Sequence, residues 1–258
     1  MITRFGVASW AAWLLAAYLL VLLVAAHTAE AQPLGSQPIN GAFQNVTRSV
    51  VAIRARGRMA HGERFTERGS GVLISADGWV LTAAFLVHEM DEISVEFATG
   101  EKVSARVVVS EPAAADVSLL QLERVPPGAI VAPTADSNTV KVGDTILIVG
   151  APHRGPHSLS VGSINARWAP NTAYRTMPDA EFFQTNAAID VENSGGPMFN
   201  LQGGVIGIVS HNVSRGDQND EQGFVVTFNT AKRLLLENPS AFAGFAPGSC
   251  SAASRRGC

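Results

Sequence analysis

The chain has 258 residues, of which 47% are hydrophobic and 16% are charged, and its formal net charge is −3. This apolar content is ample for a packed core, and the length fits one domain of about 200 residues after a targeting segment. Because the charge balance creates no basic field, it argues against nucleic acid as a partner.

The N-terminal segment, residues 1–31, is predicted to be an export signal. An uncharged apolar run covers residues 5–26, and Ala29 and Ala31 form the small-x-small pattern that precedes cleavage. We therefore expect cleavage before Gln32 and an exported, periplasmic protein. The apolar run is also long enough to span a bilayer. The alternative is an uncleaved inner-membrane anchor with a periplasmic domain.

Short apolar runs separated by turn signals predict an all-β domain over residues 43–238. Nine runs are candidate strands: VVAIRA, GVLIS, WVLTA, ISVEF, ARVVVS, VSLLQL, TILIVG, VIGIVS and FVVTF. The proline-rich segment 125–140 divides them into two groups, at about 45–125 and 140–230. The sequence AKRLLL, residues 231–236, predicts the start of a short C-terminal helix.

Arginine and glutamate side chains are interleaved near the first connection, at Arg54, Arg56, Arg58, Glu63, Arg64, Glu67 and Arg68. We interpret this segment as a solvated loop. Two histidines, His153 and His157, have the four-residue spacing that would suggest a metal pair on a helix. Pro152, Gly155 and Pro156 predict a loop there instead, and no third ligand is recognisable. We therefore expect neither a metal nor another cofactor.

The segment ENSGGP, residues 192–197, presents Ser194 in a sharp turn. Gly195 and Gly196 allow the chain to turn so that the hydroxyl faces solvent with backbone N–H groups beside it, which is how a nucleophilic serine is presented. The segment resembles the GNSGGP or GDSGGP loop of trypsin-like serine proteases, particularly those of the HtrA/Deg branch.

Five further segments resemble the same branch in the same order: GSGVLISADGWVLTAAFLV (69–87), ADVSLLQL (115–122), DSNTVKVGDTILIVGAP (136–152), SVGSINA (160–166) and FFQTNAAIDVENSGGPMFNLQGGVIGIVS (182–210). The resemblance implies the chymotrypsin-like fold, with two antiparallel six-stranded β-barrels and a cleft between them. It also implies a polypeptide substrate or protein partner. The oligomeric state is left open.

The resemblance assigns Ser194 as the nucleophile and Asp116 as the aspartate of the catalytic triad, but Phe85 occupies the position of the family's histidine. A phenyl ring cannot accept a proton, and serine is a weak nucleophile without an adjacent base. A second departure lies in the expected oxyanion hole, formed by Glu192, Asn193 and Ser194. Glu192 replaces a glycine whose backbone N–H would bind the oxyanion in a conformation that favours a residue without Cβ.

These two departures predict an inactive or strongly impaired member of the family, a pseudoprotease that binds polypeptides or a partner. The alternative is an active serine endopeptidase that uses His88 or His211 as its base. His88 would share a helical face with Phe85 but would need a backbone shift to reach the site, and an ordinary surface histidine is the competing interpretation. Ser210 and His211 are expected along the substrate cleft. Ser210 matches the serine that bonds the buried aspartate in many relatives, although a strand serine bonded to backbone fits equally.

The tail, residues 239–258, contains both cysteines of the chain, Cys250 and Cys258. An exported compartment permits a disulfide between them, and a mobile tail without one is the alternative. The 22 residues after Leu236 are too few for the PDZ module of most HtrA relatives, so we expect none.

Overall fold

The computed structural model describes residues 36–153, 155–172, 177–214 and 221–236. Within these residues the chain forms twelve strands, three α-helices and two 3₁₀ helices. The helices are α1 (Ser36–Val46), α2 (Ala84–Val87) and α3 (Phe228–Leu236), and the 3₁₀ helices are Thr47–Ser49 and Ser137–Thr139. Both barrels belong to the compact unit that begins at Ile39.

The first barrel is closed by six antiparallel strands in the order β1-β2-β3-β6-β5-β4. Its strands are β1 (Val50–Arg58), β2 (Arg64–Leu73), β3 (Trp79–Ala83), β4 (Glu92–Glu96), β5 (Lys102–Glu111) and β6 (Val117–Leu122). An Asp-Gly turn lies between β2 and β3, where Gly78 has a φ of 88°, a conformation that glycine adopts without steric cost.

The second barrel is closed by six strands in the order β10-β11-β12-β9-β8-β7. They are β7 (Thr145–Gly150), β8 (Ser158–Trp168), β9 (Phe182–Thr185), β10 (Pro197–Asn200), β11 (Val205–Ser214) and β12 (Glu221–Thr227). The prediction of two antiparallel six-stranded barrels with a short C-terminal helix is therefore confirmed.

Apolar clusters fill each barrel and join the two. The first barrel buries Ile53, Leu73, Val80 and Leu120, and the second buries Ile146, Ile148, Phe183 and Val209. A third cluster takes side chains from both barrels, including Val72, Leu81, Leu147 and Phe199. Burial of this shared apolar surface holds the barrels against each other and forms the floor beneath the cleft.

The arginine-rich segment is a β-hairpin, so its interpretation as a solvated loop was wrong. Strands β1 and β2 pair along its length, and Arg54 lies directly opposite Arg68. The arginines of β1 alternate with the buried residues Ala55 and Gly57, as the period of two along a strand requires. The prediction missed this alternation because it considered the charged residues as a group.

None of the helices in the described residues is long and apolar enough to cross a membrane. The predicted export segment at residues 1–31 lies outside the described residues. The same is true of Cys250, Cys258 and the rest of the tail.

We predict that Leu86→Ala lowers the free energy of unfolding by about 2–5 kcal/mol, the usual cost of removing a buried leucine side chain. Leu86 is 1% exposed. Its Cδ1 atom lies only 2.5 Å from where a Cβ on Gly69 would stand, and 2.7 Å from a Cβ on Gly195. It therefore packs on strand β2 and on the serine loop. Urea unfolding measures the loss.

The matched control is Val142→Ala, because Val142 is 63% exposed and should change the free energy of unfolding by less than about 0.5 kcal/mol. Equal losses for the two variants would contradict the packing of Leu86.

Candidate active site

The serine loop lies where the two barrels meet. The Gly195 N–H donates to the Val209 carbonyl at 2.8 Å, and the Ser194 carbonyl accepts the Ser70 N–H at 2.8 Å. Strand β11 of the second barrel and strand β2 of the first therefore hold the loop between them. Gly195 has a φ of 77°, and a Cβ there would stand 2.3 Å from Oγ1 of Thr82. This position needs glycine for both its conformation and its close approach.

Asp116 lies just before strand β6 and is 4% exposed. Its Oδ1 accepts the Phe85 N–H at 2.9 Å, and its Oδ2 accepts the Ser210 hydroxyl at 2.5 Å. Its backbone carbonyl accepts the Ala84 N–H at 3.1 Å. The carboxylate thus binds the first turn of helix α2 on one side and strand β11 of the other barrel on the other side.

The structure brings Phe85, Asp116, Ser210 and the serine loop together. Phe85 lies in helix α2 and bonds Asp116 through its backbone, while its side chain is 45% exposed. Ser210 bonds the carboxylate and follows Val209, whose carbonyl accepts the N–H of Gly195. The sequence left two interpretations of Ser210: a bond to the buried aspartate or a bond to backbone. The structure shows the bond to the Asp116 carboxylate.

Ser194 and its neighbours form a closed helical turn. The Ser194 hydroxyl, in a residue that is 8% exposed, donates to the Asp190 carbonyl at 3.3 Å. The Ser194 N–H donates to the Val191 carbonyl at 3.3 Å, and the Asn193 N–H donates to the Asp190 carbonyl at 3.2 Å. In this conformation the N–H of Ser194 faces a carbonyl of its own loop, where an oxyanion hole requires it to face the substrate.

Glu192 fits this turn without strain. Among the described residues the non-glycine positions with positive φ are Glu89, Asp116 and Asn171, so Glu192 has the negative φ that residues with a Cβ prefer. Its carbonyl accepts the Ser70 hydroxyl at 2.6 Å, and its side chain is exposed. The carboxylate expected beside the oxyanion position therefore extends toward solvent.

Two side chains fix the loop: that of Ser70, which the sequence reasoning missed, and that of Asn193, which it considered for the oxyanion hole alone. Ser70 donates its hydroxyl to Glu192 and accepts the Ala151 N–H at 2.8 Å. Asn193, which is 1% exposed, accepts the Ser158 hydroxyl at 2.9 Å through its side-chain oxygen. The small residue at position 70, between Gly69 and Gly71, was the signal that could have indicated a close backbone contact.

His88 and His211 were the two histidines considered as substitute bases, and they lie on different elements. The Nδ1 atom of His88 is 3.1 Å from the Ser110 hydroxyl, and its Nε2 atom is 3.9 Å from the Glu89 carboxylate. His88 thus directs its ring nitrogens at groups other than Asp116 and Ser194. His211 lies on strand β11 opposite Phe224, just after an irregularity in the strand register, and its side chain lies outside the described part of the structure.

The two loop histidines have separate partners. Nδ1 of His153 is 3.3 Å from the Glu96 carboxylate, and Nε2 of His157 is 3.0 Å from the Val50 carbonyl. Within the described residues, no group of three or more His, Cys, Asp or Glu side chains could hold a metal ion.

Burial raises the pKa of Asp116 above its usual value of 3.8, although the hydrogen bonds from the Ser210 hydroxyl and the backbone of Phe85 and Ala84 partly oppose the shift. Desolvation disfavours the charged carboxylate. An imidazolium at position 85 would be a counter-ion for this charge, and a phenyl ring is not. Ionising Asp116 therefore costs the folded state free energy.

We predict that Asp116→Asn stabilises the protein by an amount that grows as the pH rises from 3.8 through the raised folded pKa of Asp116. Because the folded pKa is raised, the folded state binds more protons than the unfolded state above pH 3.8, and the native chain loses stability as the pH rises through the folded pKa. Asparagine can accept the Phe85 N–H through its oxygen and donate to the Ser210 hydroxyl through its nitrogen, both without a charge. Thermal melting at several pH values should show a gain in Tm that grows with pH.

Asp136→Asn is the control with the opposite sign. The hydrogen bonds from the Asn229 side chain and the Asn138 backbone lower the pKa of Asp136. The stability from its carboxylate is therefore present above the usual pKa and is lost as the pH falls through the folded one. A pH-independent gain for Asp116→Asn would show that burial of its charge is not the cause.

Curated relatives match most of the barrel region. The chain is 38% identical over 165 residues to a protein named "Probable periplasmic serine endoprotease DegP-like" from Pseudomonas putida (strain GB-1), covering 61% of this chain and 32% of the relative. A protein of the same name from Halomonas elongata is 35% identical over 180 residues, covering 68% of this chain and 36% of the relative. The chain thus spans about a third of the length of these relatives.

Solved structures share the fold. The structure described as "HtrA-type protease AlgW with tripeptide" superposes with a TM-score of 0.67 at 24% sequence identity, covering 77% of this chain and 62% of that one. The family of the trypsin-like peptidase domain matches residues 69–208, which is more than half of this chain. The chain therefore belongs to the trypsin-like peptidases, in their HtrA/Deg branch.

Proposed function

We propose that this chain is an exported, periplasmic pseudoprotease that binds a polypeptide in the cleft between its barrels without hydrolysing it. The residue beside Asp116 is the observation that carries the proposal, because the N–H bonded to this carboxylate belongs to a phenylalanine. Both carboxylate oxygens accept hydrogen bonds, from the Phe85 N–H and from the Ser210 hydroxyl. A serine hydrolase places a base between this carboxylate and the serine, and here Phe85 stands at the position of that base.

The serine loop supports the same proposal independently. The Ser194 N–H is bonded to the Val191 carbonyl, and the Ser194 hydroxyl is bonded to the Asp190 carbonyl. Opening the loop to bind an oxyanion would break the first of these bonds. It would also require Glu192 to adopt the backbone conformation expected of the family's glycine, which favours a residue without Cβ.

The magnitudes make the two losses severe. General-base catalysis contributes typically about 10²- to 10⁴-fold to the rate, and one oxyanion-hole donor contributes about 10²- to 10³-fold. These factors are not additive in free energy, because the groups act as a unit. Either loss alone would reduce hydrolysis to a small fraction of the rate expected for an intact site.

The surface around the serine loop supports polypeptide binding. Phe85 and Val191 are 45% and 73% exposed, and they belong to the helix and the loop that carry the site. Exposed apolar side chains beside backbone polar groups suit an extended peptide. The curated relatives are named periplasmic endoproteases, and a solved HtrA-type structure is described with a tripeptide.

We predict that the purified chain leaves unfolded casein and aliphatic peptides uncut and that Ser194 does not react with a fluorophosphonate probe. The expectation follows from the missing base and the closed serine loop. Mass spectrometry of the products and of the probe-treated protein provides the measurement, with a DegP-like protease as the positive control. Hydrolysis that depends on Ser194 and is lost in His88→Ala or His211→Ala would instead support the alternative endopeptidase.

We predict that Phe85→His combined with Glu192→Gly restores measurable hydrolysis that depends on Ser194. Each single change should restore much less, because the base and the oxyanion hole act together. Labelling by a fluorophosphonate and cleavage of a peptide substrate are the measurements, after thermal melting has shown that the variant is folded. A folded double variant that stays unlabelled would show that further parts of the cleft have lost the catalytic geometry.

A further inference from the structure

Two arginines face each other beside the serine loop. Arg54 on strand β1 lies directly opposite Arg68 on strand β2, and on its other side it lies opposite Ser94 on strand β4. Like charges directly opposite each other in an antiparallel pair destabilise the sheet. Such a pair is explained when it serves to bind an anion.

The arginines line a cavity that reaches the serine loop. Arg54, Arg68, His153 and Glu192 surround a volume of about 370 Å³. Glu192 belongs to the serine loop, so a group in this cavity would lie next to the cleft. The Glu192 carboxylate contributes one negative charge to the cavity, and the two arginines contribute two permanent positive charges.

The cationic groups of this cavity are not satisfied by the protein itself. Within the described residues, neither Arg54 nor Arg68 makes an ion pair or a side-chain hydrogen bond, and Nε of Arg54 is buried without a partner. A buried donor that has lost its bond to water and gained none in return costs free energy. An external acceptor would remove that cost.

Two neighbouring arginines, Arg56 and Arg58, form ion pairs, whereas Arg54 and Arg68 form none within the described residues. Arg56 pairs with Glu92 and Arg58 pairs with Asp91, each at 2.9 Å. Nearby, the carboxylate of Glu96 lies 3.4 Å from the Lys102 ammonium and 3.3 Å from His153. Asp91, Glu92 and Glu96 therefore each lie beside a cation other than Arg54 and Arg68, although Oε2 of Glu96 makes no hydrogen bond in the described part of the chain. Glu192 is the acidic side chain that lines the cavity itself.

The pKa of His153 is lowered, most of all by burial, and the arginine charges contribute to the shift. The charges of Lys102, Arg54 and Arg68 lower it further, while Glu96 opposes the shift. A neutral imidazole adds no charge to this wall, so the positive charge of the cavity comes from the arginines.

We propose that Arg54 and Arg68 bind a carboxylate of the polypeptide in the cleft, so that this chain selects acidic peptides. The proposal rests on the proposed function, because the carboxylate arrives on a polypeptide held beside the serine loop. The planar guanidinium groups match a carboxylate and form charge-assisted hydrogen bonds with it. The carboxylate comes either from an acidic side chain or from the C-terminus of the peptide.

The test measures the binding of three short aliphatic peptides by fluorescence anisotropy. One carries internal Glu residues and an amidated C-terminus, the second carries Gln at the same positions and is amidated, and the third is the Gln peptide with a free C-terminal carboxylate. Wild-type protein should bind at least one carboxylate peptide about tenfold more tightly than the amidated Gln peptide, the preference expected of one charge-assisted bond. The stronger of the two identifies the source of the carboxylate.

The double variant Arg54→Gln with Arg68→Gln should lose this preference and still bind the neutral peptide. Arg58→Gln is the matched control, because Arg58 lies on the same strand, is paired with Asp91 and does not line the cavity. It should keep the preference. Thermal melting verifies that each variant is folded. Raising the salt concentration should reduce the wild-type preference, since partly exposed charges are screened.

Three results separate the failure of this proposal from that of the proposed function. Equal binding of all three peptides would overturn the carboxylate site and leave polypeptide binding intact. A preference that survives in the double variant would also overturn it. If no peptide binds, polypeptide binding fails, and N-acetylglutamate amide then tests the cavity directly. It should raise the Tm of the wild type but not of the double variant, and equal Tm changes would overturn the site.

Discussion

A carboxylate buried between two barrels needs hydrogen-bond donors, and Asp116 takes them from both. The Phe85 N–H comes from the short helix α2 of the first barrel, and the Ser210 hydroxyl comes from strand β11 of the second. These bonds position the helix against the strand that holds the serine loop. The aspartate therefore has a structural role that does not depend on a histidine, because its two bonds join the helix of one barrel to a strand of the other.

The serine loop depends on the same junction. Ser70 of strand β2 holds the loop by two bonds: its N–H donates to the Ser194 carbonyl, and its hydroxyl donates to the Glu192 carbonyl. The carbonyl of Ser70 in turn accepts the Thr82 hydroxyl at 2.8 Å. A loop held by two barrels can stay in the closed helical turn without help from a ligand. Glu192 suits that turn because its φ is negative, so this substitution and the closed conformation are consistent with each other.

The β1–β2 hairpin contributes positive charge to the cleft, which Ser194 and Asp116 do not. Arg54 and Arg68 lie on the first barrel, whereas Glu192 lies on the loop of the second, and the cavity between them exists because the barrels meet there. The exposed side chains of Phe85 and Val191 add apolar surface close to this charge. Apolar and cationic surface side by side suits a peptide with mixed aliphatic and acidic residues.

The sequence by itself determined the strands with long apolar runs and the order of the family motifs, and it predicts departures from the family at Phe85 and Glu192. These are local features, since a run of alternating residues or a motif can be recognised without its partners. Strands β8, β9 and β10 were not among the predicted runs. Strands β9 and β10 have four residues each and are too short to show an alternation, and β8 has no apolar run because Ile164 is the one buried residue among its eleven.

Only the tertiary structure decided that Arg54 faces Arg68, that Ser70 holds the serine loop and that His88 bonds Ser110. The separations in sequence explain why. Ser70 and Glu192 are 122 residues apart, and Asp116 and Ser210 are 94 residues apart. Contacts of this kind depend on strand register and on how two closed barrels pack, and neither can be obtained from the residue pattern of a single segment.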